Sequence, residues 1–225
     1  MSGSDLQRLH GLRPALSRRS AAPPRATARP LRPLVSALTA LVLFTHGAAA
    51  QQLPVVRVAT TLGDIDVEID TIRAPITAAN FLRYVDAGMY TGGRFHRTVT
   101  LKPDNQPNKE IKIEVIQAGL DSARFRAFAP IALERTNVTG LRHRDGCMSM
   151  GRDGPNTATS DFFICVGDQP ELDFGGRRNP DGQGFGAFGR VVRGMDVVRQ
   201  IHRSPVQGQS LAPPIGIRGI TRVKS

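Results

Sequence analysis

Apolar and polar residues alternate along the stretch from Val55 to Asp70, and the alternation is interrupted once, at Leu62-Gly63-Asp64. A period of two is typical of a β-strand with one apolar face, and a glycine beside an acidic residue suits a tight turn. The stretch therefore predicts a β-hairpin. Its acidic residues fall on the face opposite the apolar one, and we expect that face to be solvated: Asp64, Asp66, Glu68 and Asp70.

Two later stretches have the spacing of short amphipathic helices. The first opens at residues 74–77, with Thr77 as the expected N-cap, and is expected to stop at Gly88. Phe81, Leu82 and Val85 form its apolar stripe. The second predicted helix covers residues 194–202.

Six further short apolar segments predict β-strands, and together with the hairpin they make eight strands. They are bounded by glycine, proline or polar residues and cover residues 95–99, 112–117, 146–150, 162–166, 188–192 and 215–223. The stretches at 101–111 and 174–186 are polar or rich in glycine and predict loops. Many short strands with two short helices favour a mainly β fold, a closed or nearly closed antiparallel barrel built as one domain.

The first 50 residues have a different composition from the rest of the chain. Residues 1–33 contain seven arginines and one acidic residue, residues 34–44 are uncharged and apolar, and residues 46–50 end in small side chains. A basic flank, a short apolar core and a small-residue end are the features of a secretory signal peptide. The apolar run is shorter than the about 20 residues that span a bilayer.

We therefore predict that residues 1–50 are a signal peptide or N-terminal leader and that residues 51–225 are the folded domain. Cleavage near Ala50-Gln51 would leave a periplasmic or secreted protein with no stable membrane insertion. An uncleaved anchor and an organellar transit peptide are the alternatives that this composition leaves open.

The leader also changes the meaning of the overall charge. The whole chain has a formal net charge of +11, but the leader holds seven of its 30 basic residues and one of its 19 acidic residues. The remainder therefore carries +5, which is ordinary for a soluble domain. No basic stripe interleaved with aromatic residues is evident in the sequence, so we expect no nucleic-acid partner.

The sequence offers little for metal or covalent chemistry. Cys147 and Cys165 form no CxxC motif and lie beside no histidine cluster, so no metal site is predicted. Two interpretations of the pair stay open, namely two small buried apolar residues or a disulfide that an exported protein could form. No serine or cysteine nucleophile motif is present, which argues against a hydrolase.

Some polar side chains stand where the predicted strands should be apolar. Strand alternation places Phe95 and Arg97 on one face and His96 on the other. Taken alone, a strand arginine more commonly reaches solvent or pairs with an acid. Gln117, at the end of its own strand, either caps that strand or orients such an arginine.

The order and spacing of several motifs resemble the cyclophilins. The motifs are FHR at 95–97, VIQAG at 115–119, MSMG at 148–151, GPNT at 154–157, SDFFI at 160–164, LD at 172–173 and FGRVV at 188–192. The resemblance extends over about residues 55–223. It implies a closed eight-stranded antiparallel barrel capped by two helices. It also implies a peptidyl-prolyl cis-trans isomerase that acts on proline-containing polypeptides and needs no cofactor or metal.

The resemblance also implies a role for each residue of the site. Arg97 would donate a hydrogen bond to the prolyl nitrogen, and Gln117 would orient Arg97 or touch the substrate backbone. The proline ring would enter an apolar cup formed by Val115, Phe163, Leu172 and Phe185. The residue before proline would meet the backbone of Gly151 and Arg152.

Several positions depart from the cyclophilin pattern. Glu114, Asp161 and Glu171 replace an aromatic residue, a glutamine and a residue that is tryptophan in many members, and residues 102–111 and 174–183 are expansions. In the cyclophilins that tryptophan is associated with cyclosporin binding, so Glu171 implies weak inhibition by cyclosporin. Two functions stay open, both for a monomer: an isomerase that helps exported proteins to fold, or a cyclophilin-fold peptide-binding or chaperone module with little turnover.

Overall fold

A computed structural model of the protein describes residues 52–224. The predicted leader at residues 1–50 lies outside the described residues. The strands are β1 (Val55–Thr60), β2 (Gly63–Ile69), β3 (Arg94–Val99), β4 (Val115–Gly119), β5 (Cys147–Met150), β6 (Phe162–Cys165), β7 (Ala187–Arg193), β8 (Val206–Gln207) and β9 (Ser210–Arg222). The helices are α1 (Pro75–Asp86), α2 (Thr136–Thr139) and α3 (Met195–His202), and Pro170–Leu172 forms one turn of 3-10 helix.

Eight of the strands close into an antiparallel barrel in the order β1-β2-β7-β5-β6-β4-β3-β9. The closure depends on β9, which pairs with β3 through its first half and with β1 through its second half. The short strand β8 pairs only with β9 and lies outside the closed circuit. The predicted closed eight-stranded barrel is confirmed, and its closing strand begins at Ser210, earlier than the alternation predicted.

The barrel is filled by the alternating apolar residues of its strands and by the apolar faces of α1 and α3. Phe81 of α1 lies 5.2–5.6 Å, centroid to centroid, from the rings of Tyr90, Phe162 and Phe188. Val198 and Ile201 of α3 are fully buried in the same core. Both predicted helices are present, and the four-residue helix α2 was not predicted.

The predicted N-cap of α1 is wrong. The helix begins at Pro75, which suits a first helical turn because its ring already holds a helical φ and it has no N–H to satisfy. Thr77 lies inside that turn. The Glu134 carboxylate accepts hydrogen bonds from the Ile76 and Thr77 amides and from the Thr77 hydroxyl. A distant carboxylate therefore does the work of a cap and complements the positive end of the helix.

The acidic face of β2 is solvated only in part, since Asp64 is exposed but Asp66 and Asp70 are buried. Asp66 is only 7% exposed, because Arg57 of β1 and Arg193 of β7 both donate to its carboxylate. The hydrogen bond from Arg57 is the main reason that the pKa of Asp66 falls to about 2. Asp70 is likewise buried and binds Arg73. Alternation alone could not show these pairs, since the arginines on either side of Asp66 arrive through strand pairing.

Candidate active site

A β-bulge at His96 decides where Arg97 points. Phe95 lies opposite Ala118 and Arg97 lies opposite Gln117, so His96 is an extra residue between two consecutive partners. The bulge turns the chain over. Phe95 is fully buried in the barrel core, whereas Arg97 faces a cavity outside the barrel. The prediction that Phe95 and Arg97 share a face is therefore wrong, because it assumed an uninterrupted strand.

The cavity outside the barrel has a volume of about 270 Å³. It lies beside β3, β4 and β6 and the loops that follow β5 and β6. The structure brings all eight residues of the predicted site together in its lining: Arg97, Val115, Gln117, Gly151, Arg152, Phe163, Leu172 and Phe185. The contacts that each would make with a substrate remain predictions.

Two glutamines hold the Arg97 guanidinium. Its Nη1 donates to Gln117 Oε1 at 2.9 Å, as the resemblance implied for an orienting residue. Its Nε and Nη2 donate to Gln209 Oε1 at 2.9 and 2.6 Å. Gln209 lies in the turn between β8 and β9, and no motif in the sequence pointed to it.

Burial also acts on the charge of Arg97. Loss of solvent is the main cause of a lowered Arg97 pKa, and the positive charge of Arg178 is the second. An arginine keeps its proton through such a shift because its ordinary pKa is far above neutrality. The site therefore holds a fixed cation whose donors are aligned by two neutral amide oxygens.

Beside Arg97 lies an apolar hollow, formed by Val115, Phe163, Leu172 and Phe185. Phe163 and Leu172 are buried, and the Phe185 ring stands edge-on to Phe163 with centroids 5.2 Å apart. The Phe185 amide donates to the Leu172 carbonyl at 3.0 Å, which sets the position of its ring. A five-membered apolar ring is the kind of group that such a hollow accommodates.

The Arg152 side chain ties the expanded loop to the site. Its guanidinium donates to both Asp181 oxygens at 2.7 and 2.9 Å and to the Gly184 carbonyl at 2.8 Å. It also lies over the Phe185 ring, 5.0 Å from the centroid. This side chain is thus occupied within the protein, and the backbone contact predicted for Arg152 does not depend on it.

A buried network supports the floor of the hollow and was not predicted. His143 Nδ1 lies 2.8 Å from Asp173 Oδ1, and His143 Nε2 lies 3.0 Å from the Ser149 hydroxyl. The imidazole stacks on Phe163 at a centroid distance of 5.9 Å. The order of groups is that of a hydrolytic triad, but Ser149 is fully buried, so no substrate can reach its hydroxyl.

Asp161 adds a titratable group behind Gln117. Its Oδ2 accepts a hydrogen bond of 3.4 Å from Gln117 and lies 3.8 Å from His96 Nε2. Burial raises the pKa of Asp161, although the charge of His96 and the Gln117 hydrogen bond act in the opposite direction. A carboxyl group is therefore connected to Arg97 through a single amide.

The two cysteines are buried thiols on neighbouring strands. Cys147 of β5 and Cys165 of β6 are both free, and they pack in a small apolar cluster with Phe163 and Leu172. Burial is the main cause of a raised Cys165 pKa. Of the two interpretations left open by the sequence, the described geometry is that of two small apolar residues.

Residues 55–222 match the family model described as cyclophilin type peptidyl-prolyl cis-trans isomerase/CLD. The chain belongs to this family. Among curated cyclophilins, peptidyl-prolyl cis-trans isomerase A of Dickeya dadantii is 35% identical over 80% of this chain and 86% of its own length. A peptidyl-prolyl cis-trans isomerase of Acinetobacter baylyi is 34% identical over 78% of this chain and 84% of its own. The predicted enzyme class, a peptidyl-prolyl cis-trans isomerase, is confirmed.

A solved cyclophilin supports the fold. The Cryptosporidium parvum cyclophilin type isomerase, crystallised in the presence of the dipeptide Ala-Pro, superposes with a TM-score of 0.60. It is 23% identical and covers 76% of this chain and 99% of its own. The similarity therefore extends over the whole of that cyclophilin, which places the barrel in the same fold.

Within residues 52–224, no helix combines the length and the apolar character that crossing a membrane requires. No three histidine, cysteine, aspartate or glutamate side chains in that same part of the chain are grouped so that they could hold a metal ion.

Proposed function

We propose that this cyclophilin uses Arg97 to speed the rotation of X-Pro bonds in exported polypeptides, and that it acts as a monomer. The observation that carries the proposal is a guanidinium held by two amide oxygens beside an apolar hollow. The hollow would accept the proline ring of a substrate and Arg97 would bind its amide, so one cavity offers a partner to both.

The chemistry requires only that the twisted amide is bound better than the planar one. Rotation about a peptide bond meets a barrier of about 18–20 kcal/mol, because the nitrogen lone pair is delocalised into the carbonyl. In the twisted state the nitrogen regains its lone pair and becomes a better hydrogen-bond acceptor. A donor placed beside that nitrogen therefore stabilises the transition state more than the ground state.

Arg97 has donors to spare for this role. A guanidinium carries five N–H groups, and three of those of Arg97 are engaged by Gln117 and Gln209. One N–H on Nη1 and one on Nη2 stay available for a substrate. Uncatalysed exchange takes tens to hundreds of seconds. Turnover in milliseconds therefore needs roughly a 10⁵-fold acceleration, or about 7 kcal/mol off the barrier.

A protease-coupled assay on a short Xaa-Pro peptide tests this proposal. Wild-type protein should accelerate exchange clearly, and Arg97→Ala should lower kcat/KM at least about tenfold with an unchanged circular dichroism spectrum. Arg97→Lys is the matched control, because it keeps the charge but not the planar fork that both glutamines bind. Equal activity in Arg97→Ala would remove Arg97 from the role.

Export is the second part of the proposal, and its support is the composition of residues 1–50. We propose cleavage near Ala50-Gln51 and a mature protein in the periplasm or outside the cell. Mass spectrometry of the periplasmic fraction should find an N-terminus near Gln51. Recovery of the full-length chain from the cytosol would contradict export.

A peptide-binding module with little turnover is the alternative function. It is favoured by the acidic residues that stand where the cyclophilin pattern has other residue types. Glu171, for example, engages Arg177 and offers no aromatic surface. In this case the wild-type protein would bind an Xaa-Pro peptide without accelerating its exchange. The assay above, combined with a binding measurement, separates the two functions.

A further inference from the structure

The two expanded segments, residues 102–111 and 174–183, meet at one side of the cavity. Arg178 of the second segment donates from Nη1 to Gln106 Oε1 at 2.9 Å and to the Ile111 carbonyl, both in the first segment. Arg177 and Glu110 form a further, exposed ion pair between them. The two expansions thus form one joined structure, and together they supply Lys109 and Arg178 to the cavity lining.

The support beneath Arg178 is rigid. Gln106 is 2% exposed, and its side chain donates to the carbonyls of Thr100 and Ile113 and accepts from the Ile113 amide. A side chain with all of these partners satisfied has one orientation. The Arg178 guanidinium therefore rests on a fixed acceptor.

The cavity is strongly biased towards positive charge. Its lining includes four basic residues and no acidic one: Arg97, Lys109, Arg152 and Arg178. Arg152 is neutralised by Asp181. Among residues 52–224, the other three have no carboxylate oxygen within 4.0 Å.

The basic side chains that face this small cavity repel one another, and a ligand of opposite charge would reduce that repulsion. The charge of Arg178 acts on Arg97 strongly enough to contribute, after burial, to the lowered Arg97 pKa. An anionic group that enters between them relieves this repulsion. Arg97 and Arg178 are half-buried, so that attraction is less screened at them than it would be at an open surface, whereas Lys109 is exposed.

We infer that Lys109 and Arg178 form a cationic wall that selects peptides with an acidic side chain next to the X-Pro bond. This inference rests on the proposed function, in which Arg97 and the hollow hold the proline. Because Lys109 and Arg178 line the same cavity, the carboxylate must belong to a residue close to proline, given a reach of about 3.3–3.6 Å per residue. The substrate class is therefore acidic proline-containing segments.

Matched peptides test the preference. Two series should be compared, with Glu, Gln or Lys placed immediately before proline or immediately after it. We expect kcat/KM for Glu to exceed that for Gln at least about threefold in one series, with Lys the poorest, and the ratio to shrink as salt is raised. A ratio of one or less in both series would overturn the inference.

Variants of the wall test which side chains carry the preference. Arg178→Gln and Lys109→Gln should each lower the Glu-to-Gln ratio, and Lys109→Glu should shift the preference towards Lys peptides. Arg177→Gln is the control, because Arg177 lies beside Arg178 in the chain but pairs with Glu110 and Glu171 outside the cavity. An unchanged ratio in both wall variants would overturn the inference.

Effects of these variants on folding or on catalysis can be distinguished from their effects on the preference for acidic peptides. Lys109 makes no side-chain hydrogen bond within residues 52–224, so its variants test the wall even if Arg178→Gln disturbs the joined segments. If wild-type protein turns over no peptide, the proposed function fails, and the dissociation constants of the same peptides then decide the preference. Turnover without a preference for Glu removes only the cationic wall.

Discussion

Arg97 differs from an ordinary strand arginine because three of its N–H groups already have fixed acceptors. A free arginine side chain loses about 2 kcal/mol of rotamer entropy when a substrate orders it. In this protein the Arg97 side chain is already ordered in the folded state, before a substrate binds. Preorganisation of this kind is what makes a single charge effective in a transition state.

Gln209 should therefore act as a positioning residue. Gln209→Ala removes the acceptor of two Arg97 donors, and we expect kcat to fall about tenfold with a smaller change in KM, because the guanidinium then samples other orientations. Gln207→Ala is the control, since Gln207 is exposed at the end of β8, two residues before Gln209. A parallel loss in both variants, or a change in KM alone, would contradict the positioning role.

At the scale of residues, the sequence predicted some members of the site and missed others. Arg97, Val115, Phe163 and Leu172 could be predicted because they stand in motifs with a known order. Gln209 and His143 could not, since each contacts the site through partners distant in sequence and belongs to no local pattern. The bulge at His96 escaped for a related reason, because alternation cannot show an inserted residue.

At the scale of the elements, ion pairs join the outer faces of neighbouring strands. Asp66 on β2 accepts from β1 and β7, so one carboxylate links three strands. Its pKa of about 2 in the folded protein lies below the value for an unfolded chain. The folded state therefore binds this proton less tightly than the unfolded state does.

This difference gives a prediction for stability against pH. Because the folded pKa is lowered, the contribution of Asp66 is fully present above about pH 4 and is lost as pH falls towards 2. At neutral pH we expect Asp66→Asn to lower the free energy of unfolding by about 2 kcal/mol, and the difference should vanish near pH 2. Denaturant unfolding at several pH values measures it. A gap that persists at pH 2 would contradict the assignment.

The loops, too, could be predicted from the sequence only in part. The expansions at 102–111 and 174–183 are visible in the sequence as polar segments, but their meeting at the cavity depends on Arg178 reaching Gln106 across the fold. Strand ends were predicted less accurately than strand positions, because pairing, and not local composition, decides where β9 begins.

At the scale of the whole molecule, closure of the barrel brings the site together. Arg97 and Gln117 come from adjacent strands, whereas Gln209 reaches Arg97 only because β9 returns to pair with β3. The cyclophilin barrel thus supplies a rigid frame, and the expanded loops supply charge at its rim. The residues that stand in the motifs could be assigned to the site by resemblance. The charge of the rim could be seen only in the folded chain.

The most direct measurement of the central role of Arg97 is NMR exchange spectroscopy on one Xaa-Pro peptide, with the affinity and the exchange rate of the bound peptide taken from the same titration. For Arg97→Ala we predict a bound exchange rate at least about tenfold slower than wild type and an affinity changed by less than about threefold. An unchanged exchange rate would contradict a role for this guanidinium in the transition state. So would an affinity loss that by itself explains the slower turnover.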